Sequence, residues 1–328
     1  GYVKARSEAP VGMPVKLSFD VIFGHVGEVI HDLSWHEWLI DVNKILGHQS
    51  MRDTIVEHHG MQTFSAIKNT IIDIAAGDIQ PTSQTEKRMN YFRQGVSIVY
   101  MGWNLGTSLL QPLGLTQSAV RIGPGYVGRA ILRSFGSLVG INDAVKDMHE
   151  KSIFMRLRAK TMNREINEIR NKIGRTSMGS RLKDPLDNSF FYLIAKAQLL
   201  ADVPTWLGAY DKAQAENASE EDSIARADQA VIDSQGSGHI KDLADVQRGG
   251  PLKKIWTNFM SYFQTTFNLT ADSFTRTKFN SPSSVMHLGV DLLLLYSLPI
   301  VLEEYVRKAL IQGECDDGRD FECMLTKI

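Results

Sequence analysis

From Gln94 to Val120 the chain runs for 27 residues without a charge, bracketed by Arg93 and Arg121. That is long enough on paper to cross a hydrocarbon core of roughly 30 Å. Yet Asn104, Gln111, Gln117 and several glycines interrupt it, and Pro112 divides it. A spanning helix prefers an unbroken apolar run, and kinks persist only where neighbours satisfy the freed backbone groups. Gly102 and Gly106, flanking Trp103, make a small-xxx-small face on which two helices approach closely. Two readings follow: a buried helix hairpin in a helical protein, or a membrane-active segment.

The 328 residues suffice for one large or two ordinary domains. A net charge of −1 with 43% hydrophobic residues describes a folded chain and argues against a dedicated nucleic-acid binder. The charge is unevenly placed, with 11 Lys/Arg against 5 Asp/Glu over 142–183, and 3 against 10 over 202–245. Opposed faces of this kind suit docking between subunits, or a basic face on DNA or anionic lipid. The first residue is Gly1 and no signal peptide is visible, so a piece of a longer or processed polypeptide is expected. Cys315 and Cys323 suit either a small disulfide loop or two free thiols.

Taken in order, residues 1–13 read as a linker and Val15–Val26 as a short strand or extended arm. Ser34 and Glu37 spell a capping box that predicts a helix to about Leu46. Ser50 starts another helix, ending near Gly60, and Met61–Ala76 is a third. Ser83 and Glu86 spell a second capping box, opening the helix that enters the uncharged stretch, with Pro112 and Gly114 ending or kinking it. Tyr126–Leu138 is its returning partner. Asn142–Ile173 reads as the clearest long helix. A break is expected at Val203-Pro204, because proline biases the residue before it away from helix. Ser219 caps a further helix, and Leu252–Phe274 is an aromatic-rich amphipathic one. Ser281-Pro282 opens the apolar helix Val285–Leu310, whose run Leu288–Leu302 contains Asp291 and Pro299. The expected fold is mainly α: a multi-helix, extended bundle with little strand, divided as 1–82, 83–182, 183–280 and 281–328.

Chemistry-bearing patterns are weak. Gly123–Gly128 matches the G-x-G-x-x-G spelling but lacks a preceding strand and holds Pro124, which favours a helix–helix turn over dinucleotide binding. His31 and His36 straddle the expected Ser34 cap and are spaced one residue too far for ligands on one helix face. The acidic tail around Asp316 lacks calcium-loop spacing. No catalytic, cofactor or metal residues are assigned. Trp256, Phe259, Phe263 and Phe267 form a stripe most simply packed on neighbouring helices, or else laid on a membrane or partner helix. Arg156, Arg158, Lys160 and Arg164 form a basic run, read as a solvated helix face or as contacts to anionic lipid or a DNA backbone.

The strings 202–213 (Asp-Val-Pro-Thr-Trp-Leu-Gly-Ala-Tyr-Asp-Lys-Ala) and 227–238 (Ala-Asp-Gln-Ala-Val-Ile-Asp-Ser-Gln-Gly-Ser-Gly) carry a resemblance, with Lys241–Ala244, Gln247–Pro251, Leu110–Ser118 and Arg158–Ile166. Over roughly residues 85–275 the chain resembles a C-terminal region of the large internal virion proteins of tailed bacteriophages, sometimes called large polyvalent or ejection proteins. The resemblance implies a structural part of the infection machinery. Such a part rides in the virion interior, then reaches the host periplasm and inner membrane to help form a genome-delivery conduit. Implied partners are other copies of itself, other virion proteins (portal, tail or ejection proteins), the host inner membrane and the phage DNA backbone. Catalysis is expected outside this segment, since no polymerase or peptidoglycan-cleaving domain of such fusions is visible. Rival expectations are a non-catalytic accessory domain of a virion RNA polymerase or lytic transglycosylase, and a DNA-backbone-binding module. Gly102, Trp103, Gly106, Trp256, Phe259, Phe263, Leu292 and Leu295 are the expected membrane or helix–helix contacts.

Overall fold

A computed structural model of the chain describes residues 20–76, 83–101, 105–135, 140–161, 192–248, 251–257 and 260–311. Every regular element among them is helical. The order is α1 (Asp20–Gly47), α2 (Gln49–Ala76), α3 (Gln84–Met101), α4 (Leu105–Leu110), a 3₁₀ turn (Gln111–Leu113), α5 (Gly114–Ile122), α6 (Pro124–Phe135), α7 (Gly140–Lys151) and α8 (Ile153–Thr161). Then follow α9 (Tyr192–Ala215), α10 (Glu220–Gln235), a 3₁₀ turn (Ile240–Asp242), α11 (Asp245–Arg248), α12 (Pro251–Trp256) and α13 (Ser261–Arg276). The chain closes with α14 (Pro282–Leu292), a π turn (Leu293–Ser297) and α15 (Leu298–Ile311).

The main core is built from α5 to α10, on both sides of the expected division at residue 182. Ala119, Ile122, Val127, Ala130, Met148, Met155, Val203, Trp206, Leu207, Ala227 and Val231 are its buried side chains. Gly208 lets α9 meet α6 at backbone distance, since a Cβ there would lie 3.1 Å from the Tyr126 carbonyl oxygen. Trp206, fully enclosed, stacks on Tyr210 at 5.2 Å and donates its indole N–H to Asp228 Oδ1 at 2.7 Å.

A polar seam runs through the same helices. Arg158 Nε on α8 donates to Asp202 Oδ2 on α9 at 3.0 Å, with side chains only 2% and 1% exposed. Arg158 Nη1 donates to the Gly236 carbonyl at 2.6 Å, past the end of α10, and Gln198 Nε2 donates to Asp202 Oδ1 at 2.9 Å. Gln235 Nε2 reaches the Gly114 carbonyl and Ser118 Oγ, both at 2.8 Å, while Ser118 Oγ pairs with Thr205 Oγ1 at 2.6 Å. A Cβ at Gly114 would overlap the Gln235 amide, so glycine there holds the seam closed.

Local signals explain most boundaries. Ser83 and Glu86 form the reciprocal box, each backbone N–H donating to the other's side chain at 3.1 Å. Ser219 Oγ accepts from Asp222 N at 3.2 Å. Gly60 interrupts α2 with φ 84° and ψ 160°, and Gly123, at φ 103°, turns α5 into α6 with Pro124 in the first helical position.

Several expectations are corrected. Asp20–Val26 is helix, not strand. Ser34 lies inside α1 and donates to the Ile30 carbonyl at 2.7 Å, so His31 and His36 share a helix. The long helix from Asn142 divides at Ser152, whose hydroxyl accepts from Met155 N at 3.0 Å and starts α8; residues 162–191 lie outside the described ones. Val203-Pro204 is no break: α9 runs through it, and Thr205 Oγ1 donates to the Ala201 carbonyl at 2.7 Å beside the missing proline N–H. Of the two readings of the uncharged stretch, by contrast, the described part fits the buried one: α4 passes through the 3₁₀ turn at Pro112 into α5, which is mostly buried in the core; residues 102–104 lie outside the described ones.

Removing one partner of a buried pair leaves an uncompensated charge. Asp202→Ala is therefore expected to cost roughly 3–5 kcal/mol, and the double variant R158M/D202L clearly less than the single change; urea unfolding of both measures this. Asp228 gives a pH signature. Burial pushes its carboxyl above the usual range, against the hydrogen bonds donated by Ser152 and Trp206. A raised folded-state value contributes stability at low pH that is lost as pH rises through it. Both donors use Oδ1, which asparagine retains. Asp228→Asn should therefore melt above the parent at about pH 7, and the gap should close towards about pH 4.

Candidate functional site

Exposed apolar side chains gather in two described regions: α1, with Ile30, Leu33, Trp38 and Ile45, and the region made by α13 and the continuous helix Pro282–Val306. That helix holds 25 residues, about 37 Å at the α-helical rise of ~1.5 Å per residue, and is long and apolar enough to cross a bilayer. A core helix of a water-soluble protein meets the same measure by being buried, whereas here only 17% of the apolar window is enclosed. It also follows the packed helices in sequence, where a leader would precede them. Leu288, Leu295 and Pro299 form a narrow docking stripe. Leu295 packs with Val120 of α5 and Leu269 of α13. Val285, Met286, Val290, Leu293, Ile300 and Val301 point into solvent. The π turn lies just before Pro299, whose ring disfavours an ordinary turn against the residue four positions earlier.

Beside it, α13 is fixed by Gln117 Nε2 donating to Thr266 Oγ1 at 2.8 Å, so its buried face is threonine- and serine-rich. Its aromatic residues turn outward. The expected helix Leu252–Phe274 is in fact two, α12 and α13, and the stripe is not core: Trp256 is 84% and Phe263 69% exposed, with Phe267 and Phe274 exposed as well. Phe259 lies outside the described residues. Leu292 is half-buried, and Gly106 sits half-buried in α4; Gly102 and Trp103 lie outside the described residues. Phe263, Leu292 and Leu295 thus lie on the adjoining α13 and C-terminal helix, while Trp256 belongs to α12 and Gly106 to α4.

The basic run separates. Arg158 is withdrawn from any surface role, since its guanidinium is buried on Asp202. Arg156 is exposed, Arg164 lies outside the described residues, and no position is described for the Lys160 side chain. Sequence reading missed Lys196 and His149, brought from α9 and α7 to the neighbourhood of Arg156. Burial, then the charges of Arg156 and Lys196, hold the His149 imidazole below its usual range. Arg156 and Lys196 come from two helices 40 residues apart, with the imidazole of His149 kept neutral between them, and such a patch has no linear signature.

The clasp of Lys151, Tyr210 and Glu220 was also missed. Lys151 Nζ donates to Tyr210 Oη at 3.1 Å, and Tyr210 donates to Glu220 Oε2 at 2.5 Å. Burial and Glu220 push the phenol upward. For Lys151, burial pulls the ammonium down but Tyr210, Asp147 and Glu220 outweigh it, leaving it raised. Both groups therefore keep their protons at neutral pH and tie α7, α9 and α10 together. Among the described residues no group of three or more His, Cys, Asp or Glu side chains is arranged to hold a metal. Cys315 and Cys323 lie outside the described residues.

Compared with protein-family models, curated proteins and solved structures, the chain matches none.

Because the aromatic stripe is solvent-facing, Phe263→Ser and Phe267→Ser should each shift stability by no more than about 0.5 kcal/mol. Trp206→Ala should cost about 3–5 kcal/mol. Denaturant titration of the three variants separates surface from core.

Proposed function

We propose that this chain is a structural, non-enzymatic segment of a bacteriophage internal virion protein. It oligomerises and lays the Pro282–Val306 helix and the α13 aromatics against the host envelope, helping to form the genome-delivery conduit. The observation that carries the membrane part is the 25-residue apolar helix left largely unburied beside α13 with its exposed Phe263 and Phe267. Exposed apolar area of this extent is costly in water and marks a surface that meets another apolar phase. The virion part rests on the motif resemblance, whose strings at 202–213 and 227–238 make up much of α9 and α10. On this reading the protein travels in the virion interior and acts at the host periplasm and inner membrane. Its partners there are further copies of itself and other virion proteins, such as portal, tail or ejection proteins.

Loss of Arg158 from the surface weakens the DNA-backbone reading. Arg156 and Lys196 leave an anionic-lipid contact as an electrostatic addition, which salt screens.

Flotation with phosphatidylcholine vesicles, and with vesicles containing phosphatidylglycerol, at low and high salt tests the reading. Salt-resistant co-flotation with both is expected, reduced by polar substitutions at Leu293 and Ile300. Binding to anionic vesicles alone, abolished by salt, would move the contact to the Arg156 patch and remove the apolar one. Absence from the lipid fraction in every condition would remove the membrane reading altogether.

A further inference from the structure

We propose that entry of the Pro282–Val306 helix into a bilayer is coupled to uptake of one proton by Asp291, a regulation that rests on the membrane reading above. From Pro282 to Leu302 Asp291 is the single charged residue, the tenth of 21 positions. At ~1.5 Å per residue it lies about 15 Å from either end, close to the midplane of a hydrocarbon core of roughly 30 Å. A charged carboxylate there is costly, and its neutral acid much less so.

In the docked helix the same carboxylate is satisfied. Ser273 Oγ on α13 donates to Asp291 Oδ2 at 2.8 Å, and Ser273 is itself buried. Hydrogen bonds to an ionised acceptor are the stronger kind. Asp291 sits on the docking stripe with Leu288, Leu295 and Pro299; Leu292 and Leu294 beside it are half-buried, Leu294 against both apolar clusters, and the opposite face is exposed. Undocking gives up the Ser273–Asp291 bond, the Thr270–Tyr296 hydroxyl pair and the packing of Leu288, Leu294, Leu295 and Pro299. The ionised form favours the docked position and disfavours the bilayer. A proton taken from water onto the carboxylate weakens the first preference and relieves the second.

Most charged groups near Asp291 are paired with partners of their own. On α13, Arg276 pairs with Asp272 at 3.1 Å and its Nη2 lies 3.4 Å from Ser273 Oγ. On α5, which packs against the π turn, Arg121 pairs with Asp233 at 2.8 Å. On the same helix His287 lies one turn earlier, exposed, and Glu303 and Glu304 follow the uncharged run. Thr277–Ser281 is the connection about which the helix would turn; Lys278 N donates to Ser284 Oγ and Ser281 N to the Lys278 carbonyl, both at 2.9 Å, and Thr277 Oγ1 donates to the Ser273 carbonyl at 2.7 Å.

The test is flotation of the chain with neutral phosphatidylcholine vesicles at high salt, from about pH 7.5 to about pH 4.5, comparing the parent with Asp291→Asn and Ser273→Ala. Parent partitioning should rise with acidification, by up to about tenfold per pH unit for one coupled proton. Asp291→Asn should float at the upper pH and change less than about twofold across the range. Ser273→Ala keeps the acid but loses its docking bond, so it should float more than the parent at each pH and keep the pH dependence. That arm stands even if Asp291→Asn fails to fold, which thermal melting reports. A parent that floats equally at all pH values, or an acid response that persists in Asp291→Asn, overturns the coupling while leaving the membrane reading intact. If neither parent nor variants float at any pH, the membrane reading falls and the coupling with it.

Discussion

The fold depends on a charge pair placed where water does not reach. Taking Arg158 and Asp202 out of solvent costs several kcal/mol per ion in a protein interior, and their attraction offsets this only with further hydrogen bonds. Those bonds come from Gln198 and from the carbonyls of Gln235 and Gly236, so the pair is satisfied only when α8, α9 and the end of α10 meet in one register. The seam continues through Gln235 and Ser118 to α5. Apolar contacts alone would tolerate sliding between helices; a guanidinium fork that must find two carbonyls and a carboxylate does not. The pair contributes more to which helix meets which than to net stability.

What was legible in the sequence follows the range of the physics involved. The Ser83 box, the Ser219 cap, the Gly60 interruption and the Gly123 turn are decided within a few residues, and all are present. Ser34 shows the limit, because Ser-x-x-Glu has the same spelling inside a helix as at its start. The helical residues before Ser34 turn its hydroxyl back to the Ile30 carbonyl instead. Pro204 was misread because local bias loses to a site buried on every side. Arg158 was grouped with its basic neighbours because its partner lies 44 residues away. The aromatic stripe was assigned to the core on composition, yet composition does not say which face of α13 meets α5. Gln117 and Thr266 decide that, across 149 residues. The candidate surface was thus legible in its residues and illegible in its orientation.

Inside and outside are partly exchanged in this molecule. Beside the apolar core, serine, threonine, glutamine and an ion pair form a seam between central helices, while an apolar helix and several aromatic rings face outward at the C-terminal end. The interior polar groups are mutually satisfied, so they cost little once assembled. The exterior apolar groups have no such internal remedy.

The interruption of α2 at Gly60 separates two anchoring regimes. After it, Phe64, Ile71 and Ile74 are buried, His31 Nε2 lies 2.8 Å from the Ile74 carbonyl, and Arg248 grips Asp73 and Thr70. Before it, residues 49–59 are mostly exposed. A helix transmits torque only through an unbroken ladder of backbone bonds. α1 has no such joint, and His31 ties it to Ile74, so the α1–α2 turn stays coupled to the anchored half through α1 while Gly60 lets the outer half of α2 bend. The hairpin has one continuous arm and one jointed arm.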